Sequence, residues 1–377
     1  MSRIAKNRVY AAMSGGVDSS VAAYFLMKEG HDVFGVFMKN WHDCDFLEEQ
    51  RSAERAAYAL GIPFAVWDFS KEYKDKVLTN FYSEYKDGKT PNPDVLCNKE
   101  IKFGVFFKKA LEEGADFIAT GHHVRKLKIN LRPELRSRES ENLKVEYALA
   151  KARDTNKDQS YFLWTLTQYE ISHTMFPIGG YTKKEVRAIA KKVGLPNHNK
   201  KDSQGLCFIG KIKLPQFLEK EVPRREGSIV NESGVILGKH SGIAYYTDGQ
   251  REGLELGGMK EPHFVAYRDT TTNTLIVAPK SSPLLYSKTL YVSDINWIGK
   301  EHLGEMGIKI RYRQEDQNAV LEKMGKGYAL HFENPQYAPA IGQSAVFYKD
   351  EELLGGGIVT EVEKDKEAIN QAIECVS

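Results

Sequence analysis

An apolar run from Val9 to Met13 is followed, after a polar interval, by Val21, Ala22, Phe25 and Leu26. The run has the length of a buried strand, and the later positions recur at the spacing of a helix's inner face. The alternation continues down the chain. Val33–Met38 predicts a strand, Glu48–Leu60 a helix stopped at Gly61, and Phe64–Asp68 another strand. Lys71–Tyr85 is amphipathic over its length, and Phe117–Thr120 predicts one more short strand. Helical periodicity returns at Gln159–Gln168 and at Lys183–Val193, the latter entered through Thr182 and closed by Gly194 and Pro196. Strands alternating with helices predict a parallel sheet covered on both faces. Ligands of such sheets sit at the carboxyl ends of the strands. Residues 14–20, Met38 and Gly121 all follow predicted strand ends, so they are candidates for one crevice.

After about Leu214 the period changes. Glycine-rich turns recur in EGSIVNESGVILGKHSG and YYTDGQREGLELGGM, flanked by alternating β-branched and aromatic residues. From about Leu284 a further all-β run includes IKIRYR, YALHF and SAVFYKDEELLGGGIV. The expected organisation is α/β plus all-β. Residues 1–213 would form a doubly wound parallel sheet, 214–283 a small central β domain, and 284–377 a C-terminal β-barrel.

The chain has 377 residues, 41% hydrophobic and 28% charged, as expected of globular domains with ample core. No stretch of eighteen apolar residues occurs, so no membrane-spanning helix is expected. MSRIAKNRVY lacks the apolar core of a signal peptide, and the expected compartment is the cytoplasm. Cys44, Cys97, Cys207 and Cys375 form no CxxC, which leaves a zinc ribbon or a CxxC-held iron–sulfur cluster unsupported. A net charge of +2 means that a nucleic-acid partner would need local basic patches. Residues 125–138 carry six basic side chains against Glu134 alone, which reads either as a solvated loop or as a contact for phosphates.

The most informative stretch is SGGVDSS, Ser14 to Ser20. Two glycines between strand and helix permit a tight turn that aims backbone N–H groups and the helix dipole at one spot, a phosphate site. Asp18 is unusual in an anion cradle. It makes sense as a helix cap or as the holder of a cation bridging phosphates. No GK[ST] follows, so this is not a Walker loop. The stretch resembles the PP-loop of ATP pyrophosphatases, which cleave ATP between the α and β phosphates.

Two cysteine-bearing stretches follow. In TPNPDVLCNKEIKF two prolines predict a rigid turn at Asn92–Asp94 and a helix from about Asn98. A lone cysteine is more often a small core residue, but Cys97 would stand near a helix N-cap with Lys99 and Lys102 nearby, a setting that favours a reactive thiolate. In KDSQGLCFIG, Cys207 acquires interest only through Cys97, because two thiols at a nucleotide site imply sulfur chemistry. Between them, KDQSYF reads as either a cap by Asp158 or part of a site.

Taken together, SGGVDSS, PNPDVLCNKEIKF, ATGHH, KDQSYFL, KDSQGLCFIG and GQREGLELGG occur in the order seen in the tRNA-specific 2-thiouridylases, a resemblance covering nearly the whole chain. The resemblance implies ATP-dependent conversion of the wobble uridine of lysine, glutamate and glutamine tRNAs to 2-thiouridine. ATP and Mg²⁺ would be needed, with sulfur from a persulfide donor protein (a sulfur relay or a cysteine desulfurase), and neither DNA nor a membrane would be involved. It implies that Ala12, Met13, Ser14, Gly15, Gly16, Val17, Asp18 and Ser19, with Met38, hold ATP, and that Gly121 lies on its adenosine side. Asn92, Pro93 and Asp94 would meet the target base, with Asp94 placed for acid–base work. Cys97 would be the nucleophile and Cys207 the persulfide carrier; the persulfide would attack the activated carbon directly, or Cys97 would release it as sulfide and be joined to Cys207 in a disulfide. His122, Lys157, Asp158, Gln159, Arg311, Tyr312 and Gln343 would approach the tRNA. The family usually has glycine where Ala12 stands and tyrosine where His123 stands. Other PP-loop ligases or amidotransferases, and a non-catalytic RNA-binding protein, are the competing classes. The two cysteines argue against the first, and the intact loop with Asp18 argues against the second.

Overall fold

The computed structural model describes residues 6–41, 44–129, 146–202, 214–325 and 327–374. Cys207 and residues 130–138 of the basic stretch lie outside the described residues. Seven strands occur among the described residues up to 175: β1 (Arg8–Ala12), β2 (Asp32–Lys39), β3 (Phe64–Asp68), β4 (Phe117–Ala119), β5 (Arg125–Ile129), β6 (Glu146–Ala150) and β7 (Thr174–Met175). Five of them form a parallel sheet in the order β3-β2-β1-β4-β7. The order reverses between β1 and β4, and this is the switch point at which such sheets open a crevice.

Alternation along β1 sends Val9 and Ala11 into one apolar layer and Tyr10 and Ala12 into the other. The first layer is covered by the helices Val17–Lys28, Cys44–Leu60 and Lys183–Lys192. The second is covered by two long helices, residues 70–86 and 93–112, each containing a wider i→i+5 stretch, Lys74–Leu78 and Asn98–Phe106. Gly61 and Gly194 close their helices at φ +68° and +76°, as read from the sequence.

Two local expectations fail. Residues 159–168 do not form a helix: Ser160–Phe162 is a single 3₁₀ turn, and a short helix starts only at Gln168–Ser172 behind a Thr167/Glu170 capping box. Tertiary bonds override the periodicity. Tyr161 Oη donates to the Ser344 carbonyl at 3.0 Å and Trp164 Nε1 to Ser344 Oγ at 3.1 Å, turning both rings toward the barrel. The basic stretch, in turn, begins as a strand and not as a solvated loop. Arg125 donates to the Lys151 carbonyl and to Glu351, and Lys126 Nζ donates to the Ser172 and Thr174 carbonyls over the Tyr147 ring.

The central sheet comprises β8 (Gly227–Asn231), β9 (Ile236–His240), β10 (His263–Asp269) and β11 (Thr274–Pro279), in the order β10-β11-β8-β9. Six strands then close a barrel: β12 (Tyr286–Trp297), β13 (Gly304–Lys309), β14 (Gln317–Met324), β15 (Gly327–Tyr337), β16 (Ser344–Lys349) and β17 (Glu352–Val362). They run antiparallel in the order β12-β15-β14-β13-β16-β17, and β17 pairs back onto β12. The β5–β6 hairpin of the first domain extends the barrel's edge, with Ala150 and Leu149 opposite Glu352 and Leu353. The helix Lys366–Glu374 returns to the central sheet, placing Ile369 and Ala372 against Val230, Ile276 and Ala278. No helix among the described residues is long and apolar enough to cross a membrane.

Because Ile369 is only 6% exposed within that cluster, Ile369→Ala should lower the unfolding free energy. The expected loss is about 2–4 kcal/mol. The exposed Ile236, by contrast, should tolerate alanine to within about 0.5 kcal/mol. Urea titration of both variants checks the contrast.

Candidate active site

The loop after β1 is built for anions. Gly15 has φ +82°, and a Cβ there would stand 2.3 Å from the Glu49 carbonyl, so only glycine fits. Gly16 caps the helix Val17–Lys28 without any side-chain cap bond. Donors hold the loop's carbonyls from behind. Ser52 Oγ donates to the Gly15 carbonyl at 2.8 Å, and Asn197 Nδ2 donates to the carbonyls of Gly15 and Gly16 and to Ser20 Oγ. Ser19 and Ser20 hydroxyls also donate to the Gly16 carbonyl. The first N–H groups of a helix lack intrahelical partners, and with the carbonyls tied back they are what the loop offers a phosphate. Ala12 and Met13 are buried just before the loop, Val17 is buried beneath it, and Ser14 accompanies Ser19 within it, the two hydroxyl oxygens 3.4 Å apart.

Asp18 is the centre of a charge cluster. Its Oδ2 is 2.6 Å from Lys183 Nζ, which also lies 2.8 Å from Asp202. Asp202 is further bound by Lys157 at 2.6 Å and Arg187 at 2.7 Å. On the other side, Asp18 Oδ1 lies 3.4 Å from His123 Nε2. Burial pushes the Asp18 carboxyl upward, but the His123 imidazole and the Lys183 ammonium outweigh it and hold the group below its ordinary value. Asp202 is likewise held down: burial raises it, and Lys157 and Lys183 prevail. Asp18 Oδ1 and both His123 ring nitrogens are buried with no hydrogen bond among the described residues. Such unpaired polar atoms are costly and mark a place where something else binds.

Lys157 and Gln159, expected at the tRNA surface, stand behind this cluster. Gln159 Oε1 accepts from the His123 N–H at 2.9 Å, and the Gln159 N–H donates to the His123 carbonyl. Asp158 is buried, accepting from the N–H groups of Ala152 and Ser160 and from Ser160 Oγ. Gly121 packs on the loop itself, and a Cβ there would meet the Ser19 nitrogen at 2.6 Å. Met38 is buried at the carboxyl end of β2.

The thiol helix starts earlier than the sequence suggests. Asn92 is its N-cap, accepting from the Val95 N–H at 3.3 Å, and Pro93 takes the first helical position, where a missing N–H costs nothing. Cys97 is therefore not at a cap. It lies beyond the first turn, where the dipole has faded, and is fully buried beside Val95 and Ile101. Lys99 is exposed. His122 is buried, bonded to Thr120 Oγ1 at 2.8 Å with Lys102 Nζ 3.4 Å from its other nitrogen, and burial holds it neutral, well below its ordinary value.

The barrel reaches this helix directly. Gln343 Nε2 donates to the carbonyls of Thr90 at 2.7 Å and Pro91 at 3.3 Å. The Tyr312 ring lies 4.5 Å from that of Phe162, and burial, with Asp158 and Asp94 against Arg313, pushes its hydroxyl upward. Arg311 Nη2 donates to the Ala338 carbonyl at 2.6 Å. Sequence reasoning missed Lys183, Arg187 and Asn197. The first two look like ordinary charges of an amphipathic helix, and Asn197 looks like a turn residue after Pro196.

The donor set bears on Mg²⁺. No group of three or more acidic, histidine or cysteine side chains suited to a metal occurs among the described residues. Asp18 Oδ1 faces His123 Nε2 at 3.4 Å, so a cation held there would take this oxygen in the imidazole's place and its other ligands from phosphates and water.

Family models match the three parts of the chain. One described as a tRNA methyl transferase HUP domain matches residues 7–211, one described as a tRNA methyl transferase PRC-barrel domain matches 215–279, and one described as an aminomethyltransferase beta-barrel domain matches 287–359. The tRNA-specific 2-thiouridylase MnmA of Flavobacterium johnsoniae is 42% identical over 403 aligned residues, covering 94% of this chain and 100% of that protein. The protein of the same name from Shouchella clausii is 44% identical over 369, covering 95% and 98%. A solved U34-tRNA thiolase, NcsA from Methanococcus maripaludis, matches 57% of this chain and 64% of its own at a TM-score of 0.35 and 18% identity, too distant to bear on the site.

Gly15→Ala and Gly121→Ala should each abolish measurable ATP binding in calorimetry, since one added methyl collides with backbone in both places. Gly180→Ala, with nothing within 4 Å of the added carbon, should bind ATP as the parent protein does.

Proposed function

The chain belongs to the tRNA-specific 2-thiouridylase family of enzymes, and we propose that it thiolates the wobble uridine, position 34, of lysine, glutamate and glutamine tRNAs in the cytoplasm, using ATP and a protein-borne persulfide. One observation carries the reading. The three residues Gly121–His123 touch the anion loop on one side, through Gly121 on Ser19 and His123 on Asp18, and the thiol helix on the other, through His122 and Lys102. In this reading the phosphate chemistry and the sulfur chemistry lie on the two sides of these three residues.

In this reading residues 12–19 hold the ATP phosphates through backbone N–H groups and serine hydroxyls, with Met38 and Gly121 bordering the adenosine. Asp18 would hold Mg²⁺, which supplies charge neutralisation on the phosphates when bound. The base leaves the anticodon loop to reach Asn92, Pro93 and Asp94, a modest cost for an already partly unstacked nucleotide. Asp94 manages the proton while the uridine 2-oxygen attacks the α-phosphate and pyrophosphate departs. Arg311, Tyr312, Gln343 and His122 serve the tRNA side. Lys157, Asp158 and Gln159 position that side through their hold on Asp202, Ser160 and His123.

Sulfur then arrives as a persulfide on Cys207. The Cys97 thiolate attacks the Cys207 sulfur, forming a disulfide and breaking the persulfide bond. The hydrosulfide released attacks C2 of the activated base, and AMP leaves with the old oxygen. A reductant supplied from outside must reopen the disulfide before the next turnover. Disulfide geometry requires the two Cα atoms within about 7 Å, so the buried Cys97 must become accessible during the cycle.

Cys97→Ser and Cys207→Ser should still release pyrophosphate when given ATP and tRNA bearing uridine 34, yet make no 2-thiouridine from a persulfide donor. Non-reducing peptide maps of the parent protein after one turnover should contain a Cys97–Cys207 linked peptide. Stoichiometric 2-thiouridine with Cys97 still alkylatable would overturn the paired-thiol scheme, and tRNA-independent pyrophosphate release would favour a small-molecule ligase.

A further inference from the structure

The turn that leads into Asp94 is not held mainly by its own domain. Thr90 is 8% exposed, and the two β domains bind its polar groups. Its N–H donates to the Ile341 carbonyl at 2.8 Å, its carbonyl accepts from Gln343 at 2.7 Å, and its hydroxyl accepts from Arg268 Nη2 at 3.3 Å. The fit is close: Gly342, at φ +91°, has room for no side chain, since a Cβ would lie 3.1 Å from both the nitrogen and the oxygen of Thr90. The two following prolines, Pro91 and Pro93, have no N–H with which to anchor the turn otherwise.

Arg268 is itself immobilised. Its side chain is 4% exposed, Nη1 donates to the Tyr246 carbonyl at 3.0 Å, and Nε lies 3.2 Å from Asp248, whose side chain is 11% exposed. Asp248 directly precedes the GQREGLELGG stretch, which no step of the chemistry uses. The adjoining Gly249, at φ +81°, packs on Ala338 and Tyr337 of the barrel side. The central domain, the barrel and the catalytic domain thus meet at one threonine four residues before Asp94.

We propose that Arg268, fixed by Asp248 and acting on the Thr90 hydroxyl, is a positioning residue for Asp94. It aligns the base-binding turn when the three domains are docked together. A guanidinium suits the task because its planar fork binds a carboxylate, a carbonyl and a hydroxyl at fixed angles. The inference rests on the reading of Asp94 given above, and the test separates the two.

Thr90→Val removes only the hydroxyl and leaves the backbone bonds to Ile341 and Gln343. Misplacing a reacting group by about 1 Å costs up to about a hundredfold in rate, so kcat for tRNA-dependent pyrophosphate release should fall about ten- to a hundredfold. KM for ATP and tRNA affinity should change less than about twofold, because neither site loses a contact. Thr90→Ser should restore kcat, and in an Arg268→Met background, which also strands Asp248 and lowers stability, Thr90→Val should lower kcat little further. Parent-like kcat in Thr90→Val alongside an inactive Asp94→Asn would overturn the inference while leaving the reading of Asp94 intact. Equal impairment of the serine and valine variants would also overturn it. Full activity in Asp94→Asn would overturn the reading of Asp94 itself, and the inference with it.

Discussion

A partly buried carboxylate inside a loop shaped for anions is the constraint around which the catalytic domain is arranged. Removing a carboxylate from water costs several kcal/mol unless the surroundings compensate, and two negative groups, Asp18 and Asp202, stand side by side here. Lys183 lies between them, Lys157 and Arg187 complete the balance, and His123 faces the remaining oxygen. The cluster leaves a surplus of positive charge beside the glycine loop while keeping Asp18 ionised. Segments far apart in sequence supply its members, which explains why Lys157 and Asp202 sit against the loop.

Much of this organisation was legible beforehand. Period-2 and period-3.6 apolar spacing located the strands and helices of the parallel sheet, and SGGVDSS marked the anion loop because its glycines have few other uses between a strand and a helix. The change of period near Leu214 marked the passage to all-β structure. What was not legible came from tertiary bonds. Residues 159–168 have helical spacing, but Ser344 of the barrel captures Tyr161 and Trp164. Arg125 and Lys126 look like solvated charges, yet their side chains bind carbonyls of neighbouring segments. The position of Cys97 was misread because Pro93 can start a helix as readily as it can end one. Lys183 and Asn197 carry no local signal, since the loop atoms they bind, on Asp18 and Gly15, lie more than 160 residues away.

The three domains depend on one another through a shared apolar cluster that runs from the first domain to Ala244, Val346, Tyr348 and Leu353, and through specific contacts beside it. The β5–β6 hairpin extends the barrel, the final helix covers the central sheet, and Thr90 receives bonds from both β domains. Rigid placement of this kind suits an enzyme whose substrate is as large as a tRNA. The buried Cys97 makes the opposite demand in the proposed reading, in which it attacks a persulfide. In the proposed reading, domain contacts would hold Asp94 still while the thiol three positions later is uncovered, dividing the two half-reactions between a fixed and a moving part of the same helix.

The central claim is that the charge on Asp18, and not merely the shape of its side chain, is required for thiolation. Asp18→Asn keeps the shape and removes the charge. Nucleoside mass spectrometry of tRNA bearing uridine 34, incubated with ATP, Mg²⁺ and a persulfide donor, tests this most directly. The account predicts 2-thiouridine with the parent protein and none above background with Asp18→Asn, although the variant still binds tRNA. Formation of 2-thiouridine by Asp18→Asn at the parent rate would contradict it.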